Sequence, residues 1–283
     1  MLGECLTRMR QCEPLIHCIT NHVTINDVAN VLLAGGARPI MADDPGETAE
    51  ITAHCGGLTI NIGTLDSRKV PGMLASGKIA NQMGIPAVFD PVGAGASRLR
   101  TETALSLLHE IHFGAIRGNM SEIKTLAAEN GHARGVDAGV EDAVTEENLG
   151  QVIPFLRNLA AQWQTILAVT GRMDLVSDAE RCFIIRNGHP EMRKVTGTGC
   201  QLSALTAAFL AANPETPLEA VAAAVCTMGI AGEIGWKRMR PEDGNLTYRG
   251  YIIDAIYNMT AERLEKEANF EIQSETIASL RSH

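Results

Sequence analysis

The sequence has few aromatic residues, 4% in total, and no stretch rich in Lys and Arg that is interleaved with aromatics. Its formal net charge is -9, so the chain repels polyanions. The electrostatic pattern of a nucleic-acid-binding protein is therefore missing, and we expect no nucleic acid partner. An acidic chain can still bind ATP, because backbone amides and a metal ion hold phosphates locally.

Paired cysteine spacings are also missing. The seven cysteines are an odd number and include no Cys-x-x-Cys pair. This argues against a disulfide framework and against a zinc ribbon. His17-Cys18 and His54-Cys55 are poor metal ligands, because adjacent side chains on a strand point to opposite faces. We expect reduced and mostly buried thiols.

No long uninterrupted apolar run is present. The longest apolar region, residues 202–230, is interrupted by Asn213-Pro214-Glu215 and by Glu219, which leaves each part too short to span a bilayer. Residues 1–14 mix charged and isolated apolar positions, unlike a signal peptide. We therefore expect no membrane association and a cytoplasmic location.

Short β-rich segments alternate with segments of helical periodicity, which is typical of βαβ units and predicts an α/β fold with a mainly parallel sheet. The predicted strands are Leu15–Thr20, Arg38–Ala42, Leu58–Gly63, Ala87–Val92, Ala115–Arg117 and Ile166–Thr170. The predicted helices between them are Ile25–Leu33, Arg68–Met83, Leu99–Ile111, one beginning near Met120, and Asn148–Trp163.

The last third of the chain is predicted to be mostly helical. A hairpin of Asp174–Ser177 and Cys182–Arg186 precedes it, and the predicted helices are Gln201–Ala211, Leu218–Glu233 and Tyr251–Glu267. The polar residues 268–283 are expected to be frayed or disordered. No Gly/Ser-rich linker separates a second unit, so we expect one domain over residues 1–283.

The segment Val195-Thr196-Gly197-Thr198-Gly199-Cys200 directly precedes a predicted helix. Two glycines allow a sharp turn and a close approach to a ligand, and the helix start offers free N–H groups, so the turn can bind an anion. An ordinary turn with Thr198 as N-cap is the alternative, but it leaves the second glycine and the cysteine unexplained. The spacing is neither that of a Walker A loop nor that of a dinucleotide fold.

Cys200 lies at the start of this helix. The helix N-terminus favours negative charge, so we expect a lowered pKa and a partly formed thiolate, which suits a base or a nucleophile. A buried cysteine without a chemical role remains the alternative. A buried strand also leads into Asp90-Pro91-Val92-Gly93-Ala94-Gly95, which places Asp90 at a strand's carboxyl end, where α/β proteins bind ligands. That position suits Mg²⁺, although an Asx turn before Pro91 is the alternative.

Two further strand ends carry polar residues. In Arg117-Gly118-Asn119-Met120-Ser121-Glu122 we expect Arg117 on phosphate and Glu122 on the metal side. Asn119 and Glu122 also fit a capping box at the helix start. Thr170 and Gly171 follow another strand in the same way. Together with Asp90 and the Gly197–Cys200 turn they make four candidate segments, which should meet at one edge of a parallel sheet.

Taken together, these segments resemble the hydroxyethylthiazole kinase family of the ribokinase-like group. The resemblance covers roughly residues 13–265. It is carried by Ile19-Thr20-Asn21 with residues 23–34, residues 35–44, Asp90–Ser97, Arg117–Glu122, Val169–Gly171 and Val195–Ala204, with a weaker likeness over Thr247–Met259.

The resemblance implies a three-layer α/β/α fold and a homotrimer with active sites between subunits. It implies ATP as co-substrate, Mg²⁺ as metal, and phosphorylation of the primary hydroxyl of 4-methyl-5-(2-hydroxyethyl)thiazole in thiamine salvage. Cys200 falls where related sugar and pyrimidine kinases carry an aspartate or another cysteine. The implied ATP-binding residues are Arg117, Asn119, Thr170 and Gly199; the implied substrate-binding residues are Asn21, Met41 and Gly197; the implied metal site is Asp90 with Glu122.

Two residues depart from the family pattern. Arg38 stands where a small residue is expected just before Pro39-Ile40-Met41, so it either alters the pocket mouth or points to solvent. Gln201 stands where an apolar residue is usual. Neither change puts the reaction class in doubt.

Four other functions remain open. The same fold serves hydroxymethylpyrimidine kinases and ATP-dependent repair dehydratases. A hydrolase based on Cys200, with His17, His22 or His189 as partner, would need no Mg²⁺. A nucleotide-binding regulator would keep the anion site without transferring phosphate. For the kinase we expect Cys200 to act as a weak base rather than as a covalent nucleophile.

Overall fold

A computed structural model describes residues 1–129 and 143–274 of the chain. Its strands form one sheet in the order β2-β1-β3-β4-β5-β6-β7-β8-β9. The first six are parallel, and β7, β8 and β9 are added antiparallel. The strands are β1 Leu15–Ile19, β2 Arg38–Ile40, β3 Gly57–Asn61, β4 Ala87–Asp90, β5 Ala115–Gly118, β6 Ile166–Val169, β7 Asp174–Ser177, β8 Arg181–Ile185 and β9 Phe270–Ser274.

Helices cover both faces of this sheet. On β4, Val88 belongs to the apolar cluster under α1, α2 and α8–α10, and Phe89 belongs to the cluster under α4–α7. The predicted three-layer α/β/α fold is therefore confirmed. The helices are α1 Leu2–Cys12, α2 Ile25–Gly35, α3 Thr48–Ala53, α4 Val70–Met83, α5 Arg98–Glu110, α6 Met120–Glu129, α7 Leu149–Trp163, α8 Thr198–Ala212, α9 Pro217–Arg238, α10 Asn245–Tyr257 and α11 Ala261–Glu267, with a 3-10 helix over Pro190–Lys194.

Helix α9 is longer than the sequence predicted. With 22 residues it is long enough and apolar enough to cross a membrane. No other helix within residues 1–129 and 143–274 meets both conditions. The expectation that each apolar part of residues 202–230 is too short to span a bilayer is therefore wrong for α9. However, 89% of its most apolar window is buried inside the protein, which is typical of a core helix.

The chain termini differ most from expectation. Helix α1 was not predicted, although Leu2, Cys5 and Met9 give it one buried face. The helix predicted over Tyr251–Glu267 is wrong, because it is two helices. Arg10 donates hydrogen bonds to the carbonyls of Ile256 and Tyr257 at the end of α10, and Thr260 then caps α11 by accepting from the N–H of Arg263.

The expectation of a frayed segment from residue 268 is wrong for residues 270–274. These residues form β9, which pairs antiparallel with β8. The Phe270 ring packs against Phe183 with a centroid distance of 5.3 Å, and Arg157 donates to the carbonyl of Gln273. Residues 275–283 lie outside the described residues.

The parallel strands place their carboxyl ends along one edge of the sheet. Asn61, the last residue of β3, is the register partner of Asp90, the last residue of β4. Gly118 at the end of β5 is likewise the partner of Val169 at the end of β6. The residues that follow these strands therefore converge, as the sequence predicted.

Packing of α4 against the end of α5 gives a stability prediction. A Cβ at Gly77 would lie 2.2 Å from Cδ1 of Ile111, which is buried. We expect Gly77→Ala to lower the free energy of unfolding by about 1–3 kcal/mol through overpacking, measured by urea denaturation.

The matched control is Gly150→Ala in α7, where an added Cβ meets nothing within 4 Å. It should leave stability unchanged or raise it by up to about 1 kcal/mol. In an Ile111→Ala background the cost of Gly77→Ala should shrink, since the two residues touch. An equal cost in both backgrounds would contradict the contact.

Candidate active site

The turn before α8 requires both of its glycines. Gly197 is the N-cap of α8 with a φ of 87°, and a Cβ on it would lie 2.2 Å from Cγ2 of Thr24. A Cβ on Gly199 would lie 2.4 Å from Nη1 of Arg117. Thr198 is the first residue of the helix, so the alternative with Thr198 as N-cap is wrong. The second glycine lets a guanidinium lie over the helix start.

Cys200 is half-buried and hydrogen-bonded. Its Sγ accepts from Nδ2 of Asn21 at 2.9 Å, and Asn21 is fixed because its Oδ1 accepts from the N–H and the hydroxyl of Thr24 at 3.1 and 3.0 Å. Burial, followed by the negative charge of Asp90, raises the pKa of the Cys200 thiol. The expectation of a lowered pKa is therefore wrong, because the helix N-terminus does not outweigh burial and a neighbouring carboxylate.

The three histidines considered as partners of Cys200 have other contacts. The ring of His17 is buried, with Nδ1 2.8 Å from Oγ1 of Thr52 and Nε2 2.8 Å from the carbonyl of Ala42. The Nζ of Lys69 lies 2.8 Å from Nε2 of His22. His189 stacks on Trp236, with ring centroids 4.5 Å apart. This arrangement does not support a Cys–His hydrolase.

Asp90 is fully buried at the end of β4. Its Oδ2 accepts from Nδ2 of Asn61 at 2.7 Å and from Oγ of Ser203 at 2.8 Å. Its Oδ1 has no hydrogen-bond partner among the described residues and lies 3.6 Å from Nη1 of Arg117. Burial raises the pKa of this carboxyl, and the charge of Arg117 counteracts the rise. The Asx-turn alternative gives no reason for a carboxylate buried among these donors.

Glu122 and Asn119 form the predicted capping box at the start of α6. Oε2 of Glu122 accepts from the N–H of Asn119 at 2.8 Å, and Oδ1 of Asn119 accepts from the N–H of Glu122 at 2.9 Å. The other carboxylate oxygen, Oε1, accepts from the N–H of Gly93 at 2.9 Å. Glu122 therefore joins the cap to the glycine loop that follows Asp90, and its charge is felt at Asp90.

Arg117 links these residues to a cavity of about 650 Å³. Its Nη2 donates to Oγ1 of Thr170 at 2.6 Å, and its Nε has no partner. The cavity is lined by Arg117, Asn119, Thr170, His189, Gly199 and Met228, among others. All four residues assigned to ATP by resemblance thus face one space. Asp174 also lines it, and burial raises the pKa of its carboxyl to about 6.

The residues assigned to the second substrate follow β1 and β2 or precede α8. Asn21 and Gly197 lie beside Cys200 through the contacts already described. Met41 follows β2 at the same edge of the sheet and packs, partly buried, against the apolar cluster under α2 and α8. Arg38 lies at the other end of β2, exposed, with its Nε donating to the carbonyl of Glu13 at 3.0 Å. Within one subunit, Arg38 therefore points away from this edge.

Sequence reasoning missed Asn61, Ser203 and Thr24. Asn61 lies near the end of the predicted strand Leu58–Gly63, as Asp90 lies near the end of Ala87–Val92, so the rule that selected Asp90 would also have selected Asn61. Ser203 follows Cys200 by three residues, which places both side chains on one side of α8. Gln201, which is fully buried, has neither side-chain amide atom hydrogen-bonded.

Comparisons with known proteins identify the family of the chain. The model of the hydroxyethylthiazole kinase family matches residues 6–262. A hydroxyethylthiazole kinase from Clostridium acetobutylicum is 51% identical over 96% of this chain and 99% of its own length. The structure of the protein of that name from Pyrococcus horikoshii OT3 superposes with a TM-score of 0.85, at 36% identity, over 96% of this chain and 99% of that one.

A more distant likeness shows the fold alone. The pyridoxal kinase from Staphylococcus aureus, in complex with ADP, has a TM-score of 0.60 at 14% identity, over 92% of this chain and 97% of its own. The family model and the close relatives cover nearly the whole chain. The chain belongs to the hydroxyethylthiazole kinase family.

Proposed function

We propose that this protein transfers the γ-phosphoryl group of ATP to the primary hydroxyl of 4-methyl-5-(2-hydroxyethyl)thiazole, a reaction of thiamine salvage. The observation that carries the proposal is the turn of Gly197–Cys200. Gly199 of this turn lies against Arg117, which lines the 650 Å³ cavity, and Cys200 of the same turn accepts a hydrogen bond from Asn21. Donor and acceptor would therefore meet at the start of α8.

The chain's own residues supply the electrostatics of phosphoryl transfer. The transition state spreads negative charge over the equatorial phosphoryl oxygens, and catalysis depends on positioning and on charge stabilisation. The free N–H groups at the start of α8 would meet that charge. Arg117 is available for the same purpose, because no described residue pairs with its Nε, and its Nη2 donates to Thr170.

We propose Mg²⁺ as the metal, near Asp90 and Glu122. The donor set fits, since Mg²⁺ takes oxygen ligands and typically borrows one or two carboxylates plus substrate phosphates. Within residues 1–129 and 143–274, Oδ1 of Asp90 is a buried carboxylate oxygen without a hydrogen-bond partner, and the oxygens of Glu122 accept from the backbone N–H groups of Gly93 and Asn119. When bound, the cation would neutralise phosphate charge. Asp90 has no exposed surface and Arg117 lies 3.6 Å from its Oδ1, so we expect the guanidinium to move when a hydrated cation contacts this carboxylate.

On the acceptor side we assign Cys200 a supporting role. Its pKa is raised, so at neutral pH the thiol is protonated. A loose transition state needs little help from a base before the proton of the alcohol leaves. Cys200 and Asn21 would orient the alcohol, with Met41 and Gly197 beside the thiazole ring.

We also propose a cytoplasmic homotrimer with active sites between subunits. Val23 lies two residues from Asn21 and is 66% exposed, and Leu33 on α2 is 56% exposed. Contact with a neighbouring subunit would bury such side chains beside the site. Sedimentation equilibrium tests this, since the trimer has three times the chain mass of 30.3 kDa.

The assay that tests the proposed activity compares alcohols at saturating ATP and Mg²⁺. Steady-state phosphorylation of the thiazole alcohol should exceed that of hydroxymethylpyrimidine in kcat/KM. A higher value for the pyrimidine would instead identify a pyrimidine kinase. ATP hydrolysis coupled to a hydrated nicotinamide nucleotide would identify a repair dehydratase, and absence of turnover with every alcohol would favour a regulator.

Replacement of Cys200 tests its supporting role. We expect Cys200→Ala to lower kcat by about 10²-fold, because the alcohol loses a group that positions it, with ATP affinity unchanged by calorimetry. Cys200→Asp should keep or raise kcat, because a carboxylate accepts the released proton at neutral pH. Near-complete inactivity of a folded Cys200→Asp protein would count against proton acceptance at this position.

The pH profile gives an independent check on Cys200. A group whose pKa is raised above that of an ordinary thiol becomes deprotonated only at alkaline pH. If turnover needs the thiolate, kcat of the parent protein should still be rising with pH above about pH 9. In Cys200→Asp the rise in kcat should occur at lower pH. Identical profiles for the two proteins would show that residue 200 exchanges no proton during turnover.

Gly199→Ala tests the close approach of Arg117. The new Cβ would occupy the position of Nη1, so the guanidinium must move away from the start of α8. We expect kcat/KM to fall about 10²-fold, as misplacement of a catalytic group by about 1 Å does, with an unchanged far-ultraviolet spectrum. Gly250→Ala on α10 is the control, because its Cβ would meet nothing within 4 Å. Equal activity of both variants would contradict the role of Arg117.

A further inference from the structure

Asn61 is a buried side chain that the reaction outlined above does not use. It is 3% exposed at the end of β3, and both ends of its amide are engaged. Nδ2 donates to Oδ2 of Asp90 at 2.7 Å, and Oδ1 accepts from the N–H of Gly63 at 2.8 Å. If the amide were flipped, its NH₂ group would face the N–H of Gly63 and its oxygen would face Oδ2 of Asp90. Neither contact is a hydrogen bond, so the orientation of the Asn61 amide is determined.

The oxygen of Asn61 also receives a hydrogen bond from Asn21. An amide nitrogen has two N–H donors. One N–H of Asn21 reaches Oδ1 of Asn61 at 3.2 Å, and the other reaches Sγ of Cys200 at 2.9 Å. Two amides therefore connect the carboxylate on the phosphate side of the site with the thiol on the alcohol side.

This connection depends on the register of the sheet. Asn61 and Asp90 are partners on neighbouring parallel strands, so their side chains leave the same face close together. Ser203 holds the same carboxylate oxygen from α8, but no hydrogen bond joins its described side chain to Asn21. Asn61 is thus the residue that contacts both Asp90 and Asn21.

We propose that Asn61 is a positioning residue for phosphoryl transfer, which fixes Asp90 and the Asn21–Cys200 pair relative to each other. The inference rests on the proposed kinase activity. Asn61 holds Oδ2 of Asp90, so that Oδ1 faces Arg117. It also holds Asn21, so that the second N–H of that amide points at the sulfur of Cys200.

Loss of the Asn61 side chain has two separable consequences. Asp90 loses one of the two donors that hold its Oδ2, so the carboxylate is no longer fixed with Oδ1 toward Arg117. The thiol of Cys200 loses oriented N–H donors that favour its thiolate, because hydrogen bonds from neighbours including Asn61 oppose the rise of its pKa. The first effect concerns turnover, and the second concerns the chemistry of the thiol itself.

The experiment compares Asn61→Ala with Ser203→Ala. Both variants remove one donor from the same oxygen of Asp90, and only the first disturbs Asn21. We expect kcat of Asn61→Ala to fall about 10²-fold, with KM for ATP within about twofold of the parent value, because misplaced groups affect the chemical step. Ser203→Ala should lose less, since the Asn61–Asn21–Cys200 chain stays intact.

A second readout follows alkylation of Cys200 by iodoacetamide, quantified by mass spectrometry of the Cys200 peptide as a function of pH. Exposed Cys12 also reacts, so the peptide is resolved from it. The midpoint for Cys200 should move to higher pH by at least about half a unit in Asn61→Ala and in Asn21→Ala, and not in Ser203→Ala. A smaller side chain gives iodoacetamide greater access to Cys200, which changes the rate of alkylation but not the pH of its midpoint.

The proposal is overturned if Asn61→Ala loses no more kcat than Ser203→Ala and leaves the Cys200 midpoint unchanged. Asn61 would then have only a structural role at the end of β3. If Asn61→Ala does not fold, Asn61→Ser keeps a short donor near the strand, and the same two outcomes apply to it. If the thiazole alcohol is not the substrate, turnover fails in the parent protein as well, whereas the shift in the alkylation midpoint remains measurable.

Discussion

The buried carboxylate of Asp90 is the constraint on which the arrangement of the site depends. An ionised group with no exposed surface costs several kcal/mol unless it is paired and hydrogen-bonded. Asn61 and Ser203 supply two hydrogen bonds, and Arg117 supplies the opposite charge. These three residues come from β3, α8 and β5, so the ion fixes the carboxyl edge of the sheet against the helix that begins at the glycine turn.

The carboxylate of Asp90, through its contact with Arg117, also explains why residue 199 is a glycine. Arg117 reaches Oδ1 of Asp90 only by lying across the start of α8, and any Cβ there would collide with its guanidinium. The glycine turn and the guanidinium that covers it are therefore one structural unit. A phosphate entering the cavity would replace the weak 3.6 Å contact between Arg117 and Asp90 with hydrogen bonds to its own oxygens.

Much of this site could be predicted because it follows from the periodicity of a parallel sheet. Asp90, Arg117 and Thr170 each follow a recognisable strand, and parallel strands place such residues together. What could not be predicted depends on contacts distant in sequence. The break between α10 and α11 is set by Arg10, and β9 forms only because β8 offers an unpaired edge. Local propensity contains neither fact.

The expectation of a lowered pKa for Cys200 was wrong for the same reason, because contacts distant in sequence decide that pKa. The sequence shows a cysteine at a helix start, and a helix N-terminus by itself favours the thiolate. Burial of the sulfur and the charge of Asp90 act in the opposite direction and prevail, and neither is visible in the local sequence. A thiolate would add a further negative charge beside Asp90 and Glu122, with Arg117 as the cation between them. The site therefore holds Cys200 as a neutral thiol that accepts a hydrogen bond, and transfer depends on the positions of its groups more than on the basicity of any one of them.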